Sequence, residues 1–78
     1  MDTLVREYKF KSFSGAIDFV NRLAKLAEER DHHPDILVKY NVVMLTFYTH
    51  TAGGVTEKDI RLAAETDELF GKPAKDLA

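Results

Sequence analysis

The chain has 78 residues, a formal charge of −2 and no cysteine. That length accommodates one domain, spanning 1–78, whose core contributes only ~3–5 kcal/mol. Neither a disulfide nor a thiolate metal site can supplement it, so assembly into a homodimer or homotetramer is expected. Lysines and arginines are scattered singly from Arg6 to Lys75, which leaves no basic stripe to follow a nucleic acid. No apolar run approaches the ~20 residues of a membrane span. Met1-Asp2-Thr3-Leu4 lacks the regions of a signal peptide, and a cytoplasmic protein is the default expectation.

Leu4 to Phe10 alternates, with Leu4, Arg6, Tyr8 and Phe10 on one face and Val5, Glu7 and Lys9 on the other. That is a half-buried strand. Ser12 is a plausible N-cap for a helix reaching about Arg30. Its apolar stripe reads as Phe13, Ile17, Val20, Leu23, Ala24 and Ala27, widened by Phe19 and Leu26. Pro34 pushes His33 toward extended dihedrals, so Asp31-His32-His33-Pro34 is a loop into a strand. Ile36, Val38 and Tyr40 alternate with Leu37 and Lys39, and Val42 to Thr49 is a β-branched and aromatic run. The two strands form a hairpin turning at or beside Asn41.

Thr51-Ala52-Gly53-Gly54 is a loop, and Thr56-Glu57-Lys58-Asp59 has the form of a capping box. The second helix places Ile60, Ala63, Ala64, Asp67 and Phe70 in line, with Leu62 and Leu69 beside them. Gly71 is a natural C′ stop, Pro73 blocks continuation, and the last residues are expected to be loose. The order β-α-β-β-α predicts an α+β fold, an antiparallel sheet with two helices packed on one face. Ala63 and Ala64 favour close helix approach, with Leu62, Leu69 and Phe70 to fill a contact between chains. Unpaired edges are expected on the first strand and on Val42–Thr49.

His32, His33 and His50 fall outside the apolar pattern, at the ends of elements. A turn at Asn41-Val42 sets His33 opposite His50. A turn at Tyr40-Asn41 shifts the pairing by two residues and leaves them diagonal neighbours within roughly 8 Å. His32 adjoins them, the first helix delivers Glu28, Glu29 and Asp31 to the same corner, and Asp59 lies within reach. Each residue has an ordinary reading as well. Lone histidines cap or decorate surfaces, the capping box alone explains Asp59, and Gly53-Gly54 serves a loop with positive φ. Three converging imidazoles favour acid–base chemistry near neutral pH. Zinc is the competing use. However, adjacent His32 and His33 point apart in an extended chain, and no HxH or HxxxH pair exists, so no metal is expected. A nucleophile elbow, a P-loop and a dinucleotide fingerprint are all lacking.

Glu28-x-x-Asp31-His32-His33-Pro34, Tyr40-Asn41, Thr49-His50 and Gly54-Val55-Thr56-x-x-Asp59 together closely resemble the pterin-4a-carbinolamine dehydratases. The likeness runs without gaps from Phe10 to about Ala64 and includes Phe10-Lys11-x-Phe13. It implies a cofactor-free dehydratase that converts 4a-hydroxytetrahydropterin to quinonoid dihydropterin and water. That step belongs to the recycling of the pterin used by aromatic amino-acid hydroxylases. The resemblance makes His32 and His50 the acid–base residues and His33 a pterin-binding or orienting residue. It places Glu28, Asp31, Pro34, Thr49 and Asp59 around the substrate, with Glu28, Asp31 and Asp59 as supporting polar groups. It also implies dimers through sheet edges and tetramers through helix packing. Two departures stand out. Ile36 occupies a position that is aromatic in many relatives, and longer members carry an N-terminal extension with a Trp-containing strand, so a smaller sheet is expected. Some relatives are assembly factors or dimerisation partners of transcription factors, which makes a non-catalytic interaction module the alternative.

Overall fold

The computed structural model describes residues 2–71. Strand β1 (Leu4–Lys9) is followed by helix α1 (Phe13–Arg30), strands β2 (Asp35–Lys39) and β3 (Val42–Phe47), a 3-10 turn (His50–Ala52) and helix α2 (Glu57–Phe70). The sheet is antiparallel in the order β1-β3-β2, the expected α+β arrangement. The loose tail and the Pro73 stop lie outside the described residues. Among the described residues no helix is long and apolar enough to cross a membrane.

Strand alternation works out as the sequence implies. Tyr8, Val43, Leu45 and Phe47 are buried on the face that meets the helices, while Val5, Glu7 and Lys9 are exposed. Lys39 pairs with Val42 and Asp35 with Thr46, so the hairpin turns at Tyr40–Asn41 rather than at Asn41–Val42. Asn41 explains the choice. Its side-chain amide donates to the Phe10 carbonyl at 2.8 Å, and its own carbonyl accepts from the Phe10 amide at 2.8 Å, which ties the turn to the end of β1. Tyr40 therefore leaves the strand and takes φ +52° with its ring largely in solvent. Strand β3 is central, so the unpaired edges belong to β1 and β2, not to Val42–Thr49.

Both helices are rotated from the stripes expected of them. Ser12 caps α1, accepting from the Gly15 amide at 3.1 Å, but the buried line is Ala16, Phe19, Leu23 and Ala27. Phe13 and Ala24 are exposed. On α2 the buried line is Asp59, Leu62, Ala63 and Thr66, with Ile60, Ala64 and Asp67 outside. The sequence stripe misses because small and polar residues, Ala16 and Thr66, take the closest contacts. Thr66 satisfies its hydroxyl by donating to the Leu62 carbonyl at 2.7 Å. Leu62 and Ala63 belong to this chain's own core, so a contact between α2 helices of different chains has Ile60 and Ala64 to offer instead. Gly71 ends α2, but at φ −73° rather than in the left-handed region. Tyr8, Phe10, Phe19 and Phe70 close one end of the core with ring centroids 4.9 to 6.0 Å apart. Asp67 accepts from the Tyr8 hydroxyl at 2.5 Å there; burial and this carboxylate push the phenol well above its usual range.

The rotation of α2 has a direct test in urea unfolding. Leu62→Ala should cost about 2–5 kcal/mol, the scale of a buried leucine lost from a close-packed site. Ile60→Ala should stay within about 0.5 kcal/mol of the parent. Equal losses at the two positions would return the face to the sequence-based stripe.

Candidate active site

Helix α1 ends by a device that aims the next residue. Asp31 takes the left-handed conformation at φ 50° and ψ 42°. Its amide returns to the Glu28 carbonyl at 3.2 Å, and the His32 amide returns to the Ala27 carbonyl at 3.1 Å. This is the Schellman arrangement with aspartate in the place glycine usually holds. It fixes the backbone of His32 to the last turn of the helix. Buried Pro34 then carries the chain into β2. Asp31, expected near a substrate, is here first of all the residue that ends the helix.

From that position His32 turns inward. Its Nε2 lies 2.6 Å from Asp59 Oδ1, and its side chain is 14% exposed while that of Asp59 is 0% exposed. Asp59 Oδ2 accepts from the Thr49 hydroxyl at 2.7 Å and from the Thr56 amide at 2.8 Å. The second of these is one arm of the expected capping box. Thr49 Oγ1 is also 2.7 Å from Thr56 Oγ1. Either hydroxyl can donate in that pair, because the Thr56 hydroxyl also lies 3.4 Å from Asp59 Oδ2. Asp59 thus caps α2 and holds a histidine at once. Having no exposed surface, it reaches a ligand only through His32 and Thr49.

The balance of forces on Asp59 settles its protonation. Burial raises its pKa, but the hydrogen bonds from His32, the Thr56 amide and Thr49 together outweigh burial and hold the carboxyl below its ordinary range. An ionised carboxylate only accepts, so Nε2 of His32 carries the proton. In neutral His32 the lone pair is therefore on Nδ1. No residue among those described bonds to Nδ1, and no buried side-chain nitrogen or oxygen among them lacks a partner. Nδ1 consequently faces solvent as a basic nitrogen on a fixed ring.

The other two histidines sit differently. His33 Nε2 is 2.5 Å from Glu28 Oε2, in a pair more than half exposed on both sides. His50 opens the 3-10 turn, exposed, with its ring 6.3 Å from that of Tyr48. Its loop is closed by a bridge between Thr49 and Gly54, the Thr49 amide donating to the Gly54 carbonyl at 2.8 Å. Gly53 meets the positive φ required there, at +73°. The hairpin register leaves His33 and His50 diagonal at most, and among the described residues no hydrogen bond joins two histidines. No group of three or more His, Asp or Glu among those residues is placed to hold a metal ion. Sequence reasoning missed the Thr56–Thr49 hydroxyl pair. The T-x-x-D spacing carries that signal, but only as a helix cap.

The α+β layer brings an Asp-held imidazole to the junction of α1, β2 and α2. Comparison with known proteins identifies the family. Residues 1–69 match the model of the family described as pterin 4 alpha carbinolamine dehydratase, and the chain belongs to that family. A relative from Thermomicrobium roseum named "Putative pterin-4-alpha-carbinolamine dehydratase" is 59% identical over 68 residues, covering 87% of this chain and 73% of that one. One of the same name from a Picosynechococcus strain is 55% identical over 64 residues, 82% and 70% of the two chains. The crystal structure of a transcriptional coactivator/pterin dehydratase from Brucella melitensis superposes with a TM-score of 0.85 at 41% identity, covering 90% and 74%. A pterin dehydratase-like protein identified as a RuBisCO assembly factor in the alpha-carboxysome gives 0.75 at 31% identity, covering 88% and 80%.

Two measurements test this geometry. Asp59 has a lower pKa folded than unfolded, so its stabilisation is full above the ordinary carboxylate range and is lost as pH falls through and below it. Asp59→Asn should lower stability at pH 7 by about 1–3 kcal/mol and flatten that acid limb of the unfolding profile. An unchanged acid limb would mean that Asp59 is not held ionised by His32. Asp31→Gly should leave stability unchanged or raise it by up to about 1 kcal/mol, since glycine adopts the left-handed cap without strain. A loss of more than that would give the Asp31 side chain a role beyond capping.

Proposed function

We propose that the chain is a dehydratase acting on 4a-hydroxytetrahydropterin, releasing water and quinonoid dihydropterin without a cofactor. The observation that carries this reading is the ionised, fully buried Asp59 holding His32 with Nδ1 presented outward. The reaction needs a proton for the departing 4a hydroxyl and an acceptor for the N5 proton. His32, as the neutral Nε2–H tautomer, takes the N5 proton on Nδ1. His50, on its closed loop, supplies the proton with which the hydroxyl leaves as water. One proton is taken and one given, so the reaction balances without an added oxidant or reductant. His33 and Glu28, paired at the rim, orient the pterin, and Thr49 contributes beside it. The natural setting of such a step is the recycling of a pterin consumed by a hydroxylase. The open edges of β1 and β2 offer a homodimer two places to join sheets.

A second reading, a non-catalytic assembly module, is favoured by the likeness to the carboxysomal RuBisCO assembly factor. The same assay separates the two. With chemically generated 4a-hydroxytetrahydropterin, the protein should accelerate dehydration followed by absorbance. His32→Ala and His50→Ala should each slow it by ~10²-fold or more. The exposed His50 is replaced without cost to folding, whereas His32→Ala also leaves Asp59 short of a donor, so its rate is measured at a temperature where circular dichroism shows the variant folded. Full activity in the double variant would exclude the acid–base roles. No acceleration by the parent protein would favour the assembly module. Chelator treatment should leave the rate unchanged, and a loss restored by zinc would point to a metal-dependent reaction.

A further inference from the structure

The ring of His32 is shared between two environments. On one side lies Asp59. On another opens a cleft of about 320 Å3 between the end of α1 and the first half of α2, lined by Arg30, His32, Lys58, Arg61, Leu62 and Glu65. Its charges are unevenly matched. Glu65, the one acid in the lining, is engaged by Arg30, with Nε at 3.0 and 3.1 Å from the two carboxylate oxygens and Nη2 at 2.5 Å. That contact, with a weaker pull from the charge of Arg61, holds the Glu65 carboxyl below its usual range. Lys58 has no carboxylate partner among the described residues. The nearest acid to Arg61 is Glu57, 3.9 Å away in a pair at least three-quarters exposed on each side, too loose and solvated to neutralise it. After the Arg30–Glu65 pair cancels, the cleft retains two cations over a wall formed by Leu62, with the catalytic ring at its boundary.

Resting on the dehydratase reading, we propose that this cleft binds the anionic end of the substrate. The preferred ligand is then a pterin whose side chain carries a phosphate ester or carboxylate, with the ring at His32 and the anion between Lys58 and Arg61. A neutral hydroxyalkyl side chain gives these cations nothing to pair with. A charged one gains charge-assisted hydrogen bonds from a lysine and a guanidinium. Glu65 then has a definite part: by occupying Arg30 it keeps that guanidinium against α2 and leaves the anion to the other two cations.

The test measures binding, so that it does not depend on turnover. Calorimetric titration of the full chain would compare three non-reacting 7,8-dihydropterins, differing only in a neutral hydroxyalkyl, a phosphorylated or a glutamyl side chain. At least one anionic ligand should bind about tenfold or more tightly than the neutral one at low ionic strength, and the ratio should shrink as salt is raised. The phosphorylated and glutamyl arms identify which anion is meant. In the Lys58→Ala/Arg61→Ala double variant the ratio should collapse to about one, whereas Lys58→Arg should preserve most of it. Equal affinity for all three ligands, or a ratio unchanged in the double variant, would overturn the proposal. The dehydration rate with a neutral 4a-hydroxytetrahydropterin is recorded separately. Its absence would count against the dehydratase reading, while the affinity ratio would still decide the cleft.

Discussion

A carboxylate with no exposed surface, kept ionised, must find its donors inside the protein. Asp59 finds close ones from three separate segments: His32 two residues beyond α1, Thr49 two residues beyond β3, and Thr56 at the start of α2. Removing any one leaves a buried charge short of a partner, which costs more than the bond itself contributes. The same atoms therefore determine where α2 begins, how the loop after β3 is tethered and which way the His32 ring faces. Stability and site geometry are one constraint here, applied at a single side chain.

The histidines divide along a gradient of burial. His32, mostly enclosed, has its tautomer dictated by a neighbour that cannot donate. His33 and His50 are exposed, and their immediate surroundings hold them more loosely. The asymmetry is geometric: one ring has its orientation fixed by a buried carboxylate, the other stands on an exposed turn. The αL conformation of Asp31 is the local strain accepted to place the fixed ring.

Much of this was legible in the residues. Period-two alternation placed β1, and Ser12 and Thr56-x-x-Asp59 marked both helix starts, because caps and strand faces are decided locally. The helical faces were read only in part: Phe19, Leu23, Ala27, Leu62 and Ala63 are buried as expected, but hydrophobicity ranks Phe13 and Ile60 above Ala16 and Thr66. Close packing of two helices on a three-stranded sheet rewards small side chains at the contact. The hairpin register hinged on Asn41 bonding to Phe10, thirty-one residues away, and no local pattern announces such a bond. Asp59 was suspected of two roles from its position. Its hold on His32 Nε2, and hence the exposure of Nδ1, required the fold.

The Schellman ending of α1 also makes that helix a measuring rod. His32 is attached to the Ala27 carbonyl, so its place is reckoned along the helix from the residues that bury Ala16, Phe19, Leu23 and Ala27. One residue inserted between Leu23 and Ala27 would swing the histidine by about 100° and lift it about 1.5 Å, away from Asp59. Substitutions at exposed positions along α1 leave that reckoning unchanged. The helix's length over that last stretch is tied to the contact between His32 and Asp59.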